Sequence, residues 1–123
     1  MVDTVIFLQL VVALVVLNVW IFRFNRATDW RGGTASNMIE EFKVYGLSEG
    51  ICNLVRVVKI VLALGLLVGV VYPAFTCYAA LGILLMMLSA VGFHLKVRDP
   101  IKKALPALTM AVLCLLIIAL PMA

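Results

Sequence analysis

Four apolar runs, each long enough to cross a lipid bilayer, set the architecture of this 123-residue chain. They cover about residues 5–22, 51–72, 74–95 and 101–122. Each is close to the ~20 residues a helix needs to traverse a hydrocarbon core about 30 Å thick. Inside lipid the backbone must satisfy its own hydrogen bonds, so each run is expected to be a helix. Composition agrees: the chain is 66% hydrophobic and 13% charged, against roughly 45–50% and about 25% in soluble domains. The expected fold is therefore all-α, a single integral-membrane four-helix bundle spanning residues 1–123. The first run lacks a basic leader and a small-residue cleavage site, which reads as a retained helix rather than a signal peptide.

The connections differ in kind. "VVYPAF", residues 70–75, is a tight turn, because Pro73 cannot donate an amide and disfavours helical geometry at Tyr72. "KVRDPIKK", residues 96–103, is a second short turn. There Asp99 is expected to cap the fourth helix, with Pro100 at its first position. Pro106 falls within that helix. Both turns are short, so the second, third and fourth helices should be antiparallel neighbours. The long connection, residues 23–50, begins with charge and turn formers and then gives "NMIEEFKVYG". Asn37 and Glu40 have capping-box spacing, Met38, Phe42 and Tyr45 share one helical face, and Gly46 suits a stop. A short amphipathic helix at the membrane surface is expected there, with Ser48 capping the next span.

Charge gives the orientation. All ten Lys and Arg residues lie in the 23–50 connection, at the start of the second span, or in the 96–103 turn. The positive-inside rule then predicts that loops 23–50 and 96–103 are cytoplasmic and that both termini are outside. The expected location is a bacterial inner membrane. Few aromatics interleave with the cations, so nucleic acid is not an expected partner. The expected partners are membrane lipids, and a larger membrane-protein complex or further copies of the chain. Trp20, Trp30 and Tyr45 read as an interfacial aromatic belt.

Chemistry-bearing residues are few. Cys52, Cys77 and Cys114 form no CxxC pair and read as packing residues. One histidine cannot build a metal site alone, and "WRGGTAS" lacks a nucleotide-binding pattern. No catalytic residue is assigned, and no machinery for an independent reaction is legible. Arg56 and Lys59 lie about 12 Å and about 17 Å into the second span, on one face. Arg56 can snorkel to the interface; Lys59 is deeper and needs an acid or an anionic ligand. Glu40, Glu41 and Asp99 are the available acids. His94, ending the third span, reads as an interfacial hydrogen-bonder, or as a proton-transfer group or a hydrogen bond to a quinone-like or lipid headgroup. The expectation is one structural polar cluster of Glu40, Glu41, Arg56, Lys59, His94 and Asp99, with Lys59 and His94 the candidates for holding a headgroup. Gln9 and Asn18 are the polar residues of the first span, and Gly65 and Gly69 form a GxxxG that permits close helix approach.

The stretches "NRATDWRGG", "NMIEEFKVYGLSEG", "VVKIVLALGLLVG" followed by "YP", and "GFHLKVRDPIKKALPAL" resemble the DoxX-like family of small four-helix membrane proteins. The resemblance covers about residues 25–110. It implies the four-helix topology and marks Lys59, His94, Asp99 and Pro100 as motif positions. Its name-giving member is a subunit linked to quinone reduction in thiosulfate oxidation, and relatives include membrane partners of oxidoreductases and receptor-assembly chaperones. This chain has no cysteine pair, so a relay through its own thiols does not carry over. Three functions follow as expectations. The first is a non-catalytic accessory subunit of a larger membrane complex, without an intrinsic cofactor. The second is a quinone- or lipid-binding subunit of a membrane oxidoreductase. The third is a small transporter, ranked last because the first span carries no carboxylate of the kind that proton-coupled exporters use.

Overall fold

A computed structural model describes residues 2–26 and 31–122. α1 (Val2–Leu17) runs into a turn of π-helix at Asn18–Phe22, closed by Arg23 N–H donating to the Asn18 carbonyl at 2.9 Å. α2 (Met38–Val44) is short. α3 (Glu49–Val71), α4 (Ala74–Lys96) and α5 (Ile101–Ala119) follow, and a 3-10 turn, Leu120–Met122, closes the described chain. Four segments are long and apolar enough to cross a membrane: Asp3–Phe22, α3, α4 and α5. The fold is all-α, with α2 lying between the first two spans.

Local chemistry sets the boundaries. Ser48 caps α3 by accepting from Ile51 N–H at 3.2 Å. Asn37 caps α2 by accepting from Glu40 N–H at 2.8 Å. The Glu40 carboxylate reaches back one residue further than a capping box requires, to the amide and hydroxyl of Ser36. α2 stops in a Schellman turn at Gly46, whose φ of +84° suits a residue without a Cβ. Leu47 N–H donates to the Phe42 carbonyl there at 2.8 Å.

The turn after α4 departs from expectation. Asp99 does not cap α5. Arg98 takes the left-handed position (φ +58°) of a second Schellman turn, with Asp99 N–H donating to the His94 carbonyl at 3.0 Å. That turn folds the Asp99 side chain back onto the end of α4. Pro100 becomes the N-cap of α5, and Ile101 its first residue.

The spans form a ring: α1 packs on α3 and α5, and α4 packs on α3 and α5. The core is built from Val12, Ala13, Leu66, Ala80, Ile83, Cys114 and Ile117. Glycine brings α3 and α4 together: a Cβ on Gly65 would stand 3.3 Å from the Ala79 Cβ, and one on Gly82 2.8 Å from Leu62. Near the α3–α4 turn, Gln9 donates to the Leu66 carbonyl and to Thr76 Oγ1, both at 3.1 Å. It is 2% exposed and ties α1 to the hairpin. The outer faces carry Leu54, Val61, Val71 and Leu85, all exposed. That arrangement fits a lipid environment, where apolar side chains incur no exposure penalty. The molecule is an integral membrane protein.

Candidate functional site

The charged residues gather at the end of the bundle that carries α2. α2 lies across this end with Met38, Glu41, Phe42 and Tyr45 turned inward. Met38 N–H donates to the Phe24 carbonyl at 2.9 Å, docking α2 on the chain leaving α1.

Glu41 is the centre of the network. Its carboxylate pairs with Arg31 at 3.2 Å, and accepts from Gly32 N–H at 3.0 Å and from the Tyr45 hydroxyl at 2.8 Å. Arg31 is 4% exposed. Its guanidinium also donates to the backbone carbonyls of Arg23, Phe24 and Arg26, which pins the loop over the bundle end. The Tyr45 hydroxyl lies 3.3 Å from His94 Nε2, and the Glu41 carboxylate 3.9 Å from the same nitrogen. His94 Nδ1 meets the Asp99 carboxylate at 2.8 Å. The other Asp99 oxygen accepts from Gly33 N–H at 3.0 Å. One continuous chain of polar contacts thus runs Arg31–Glu41–Tyr45–His94–Asp99 and ends on the loop where it began.

Environment fixes the protonation of two of its members, Tyr45 and Asp99. Burial, reinforced by the adjacent Glu41 charge, raises the Tyr45 phenol far above its ordinary value, so it remains a neutral donor. Burial raises the Asp99 carboxyl, but hydrogen bonds from His94 and the Gly33 amide, with the charges of His94 and Lys103, outweigh it. The net effect holds Asp99 below the usual carboxylate range and keeps it ionised.

Not every expected member joins. Glu40 points outward, where the Ser36 hydroxyl and amide lower its carboxyl below the ordinary range. Arg56 lies with its guanidinium 4.1 Å over the Phe24 ring and donates to the Trp20 carbonyl at 3.0 Å. Lys59, one turn on, is 7% exposed with its ammonium 4.4 Å over the Trp20 ring. Cys52 and Cys114 are buried, Cys77 is exposed, and all three are free thiols. Trp30 lies outside the described residues. Among the described residues no cluster of His, Cys, Asp and Glu could hold a metal ion.

Beneath this network is a cavity of about 680 Å³, within the range of about 300–1,000 Å³ that holds one small molecule. Its walls include Trp20, Val55, Met87, Ala107 and Met110, and its polar end holds Lys59, Arg31, Glu41, Tyr45 and His94. Asn18 also faces it. Val15 on α1 and Ile51 on α3 belong to its rim, and both are exposed on the lipid-facing side. Both ring nitrogens of His94 are engaged by protein, so His94 is a held group. The Lys59 ammonium is not so engaged. Arg31 and Tyr45 were missing from the sequence-derived cluster; the buried face shared by Met38, Phe42 and Tyr45 was the available signal for Tyr45. Arg31, in a loop beside two glycines, gave none.

The family model of the DoxX-like family matches residues 7–118, and the chain belongs to that family. No curated protein and no solved structure matches it.

Proposed function

We propose that this DoxX-like protein is a non-catalytic binding subunit of a membrane complex. It holds the headgroup of a quinone or lipid-derived amphiphile in the cavity under α2. The observation that carries this reading is the cavity itself: apolar walls, polar groups converging at one end, and a rim on the lipid-facing surface. An amphiphile entering from the bilayer would keep its tail in apolar surroundings and bring its headgroup to Lys59 and the network. The Asp99–His94–Tyr45–Glu41 chain acts as the rigid roof of that site. The cation distribution supports an orientation with the α2 end in the cytoplasm and both termini outside, as in a bacterial inner membrane. The exposed Leu and Val faces serve contacts with lipid and with a partner subunit that supplies any chemistry.

Native mass spectrometry of protein released from mild detergent tests the proposal. A short-chain quinone or a single-chain lipid should add one mass per chain. The adduct should be lost in Ala107→Phe, which fills the cavity wall without touching a charge. Failure of every amphiphile to bind, or undiminished binding to a correctly folded Ala107→Phe protein, overturns it.

A further inference from the structure

Lys59 stands apart from the other buried charges at this end of the bundle. Arg31 has Glu41 and three backbone carbonyls, and His94 has Asp99 and Tyr45. The Lys59 ammonium has the face of Trp20. An aromatic face attracts a cation but offers no lone pair, so three N–H donors are left to other acceptors. Among the described residues, no protein atom accepts a hydrogen bond from it and no carboxylate lies within 4.0 Å. The acid whose field reaches it is Glu41, already bound to Arg31, Gly32 and Tyr45. The side chain is more than nine-tenths buried and lines the cavity.

Charge balance in the cavity points the same way. Of the cations that line it, Arg31 is paired with Glu41, Lys103 lies in the field of Asp99 and Arg23 is exposed, so Lys59 is the buried cation left without a countercharge. Buried charges are normally paired, and a lone cation in a span is costly. A negative headgroup in the cavity would supply both the acceptor and the countercharge that Lys59 lacks. A neutral quinone carbonyl would supply only the acceptor.

We infer that the cavity selects a single-chain amphiphile with an anionic headgroup, a carboxylate or a phosphate monoester, seated on the Lys59 ammonium beside Trp20. This inference rests on the cavity being a ligand site. It goes beyond that reading in fixing the charge of the ligand and the residue that reads it.

The test uses Trp20 as the reporter. The chain has two tryptophans, so Trp30→Phe leaves Trp20 alone, 4.4 Å from the Lys59 ammonium. Quenching is titrated with a brominated fatty acid, with the brominated alcohol of the same chain length, and with a short-chain quinone. The carboxylate should quench saturably and bind about 10- to 100-fold more tightly than the alcohol, since a charged partner is gained only by the acid. A single-chain phosphate monoester should compete with it, whereas free acetate and inorganic phosphate should not, which separates a lipid anion from a soluble one. Lys59→Met should bring acid and alcohol to equal affinity, and Lys59→Arg should keep the preference. Equal affinity of acid and alcohol for the parent protein overturns the inference while leaving the binding-subunit reading intact. Displacement of the acid by free anions at similar concentration also overturns it. Saturable binding of none of the three ligands removes the binding-subunit reading itself.

Discussion

Glu40 and Glu41 are adjacent acids on one short helix, and the structure assigns them opposite importance. Replacing Glu41 by Gln keeps an oxygen for Gly32 N–H and the Tyr45 hydroxyl, and puts an uncharged amide NH2, which accepts no hydrogen bond, where the charged oxygen faces Arg31. At the observed 3.2 Å, the pair's Coulomb attraction is about 5 kcal/mol at an effective dielectric of about 20. The carbonyls of Arg23, Phe24 and Arg26 still accept from Arg31, so part of that is retained. The expected net loss is about 2–3 kcal/mol, or about 30- to 150-fold in the folded-to-unfolded ratio. Glu40→Gln should cost far less, because the Glu40 side chain is exposed and an amide oxygen can still accept from Ser36. SDS-titration unfolding of the purified proteins, followed by circular dichroism, measures both. The double variant Arg31→Met with Glu41→Gln should be less damaging than the sum of the two single changes, because an unpaired buried guanidinium is then no longer left behind. Equal losses for Glu40→Gln and Glu41→Gln, or additive behaviour in the double variant, would refute the reasoning.

Three further outcomes follow from the same end of the molecule. The Asp99 carboxyl is held below its ordinary value in the folded protein. Its contribution to stability is therefore complete above the unfolded carboxyl's range, about pH 4, and fades as pH falls through the folded value. Acid titration of unfolding should show wild type losing stability below that point, with a shallower acid limb in Asp99→Asn. Gly32→Ala should weaken the whole network, because its Cβ would meet the Tyr45 ring and hydroxyl at 2.7 Å. Gly92→Ala, whose Cβ meets nothing within 4 Å, should stabilise α4 by about 0.5–1 kcal/mol in the same SDS titration.

The spans were legible because lipid enforces length and hydropathy, and the stops at Pro73 and Gly46 because those residues act on the backbone directly. Side-chain partners at the polar end were less so. Spacing showed that Arg56 and Lys59 share a face, but not that the aromatic end of α1 separates them. Phe24 and a free carbonyl receive Arg56, while Trp20 turns Lys59 toward the cavity. "RDP" carried a capping signal at Asp99. The left-handed turn at Arg98 redirected that carboxylate to His94, and nothing in the local sequence favours a left-handed arginine. Arg31 became a buried ion because α2 folds over it, a contact set by tertiary docking and not by its neighbours in sequence.

The π turn at Asn18–Phe22 bears on how this chain tolerates changes in length. In an α-helix of 3.6 residues per turn, two successive steps of four over-rotate by about 80°. Val16, Trp20 and Phe24 are two such steps, and all three are buried. The wider i→i+5 winding absorbs the excess. It amounts to one spare residue stored between the membrane span and the roof of the cavity. Loss of Ile21, an exposed residue in that turn, would leave a four-then-three spacing that an ordinary α-helix carries on a single face. Loss of Leu10 higher in α1 has no such reserve: it would swing Gln9 about 100° away from Leu66 and Thr76. A one-residue deletion should therefore be accommodated at this junction while the rest of the first span keeps its length.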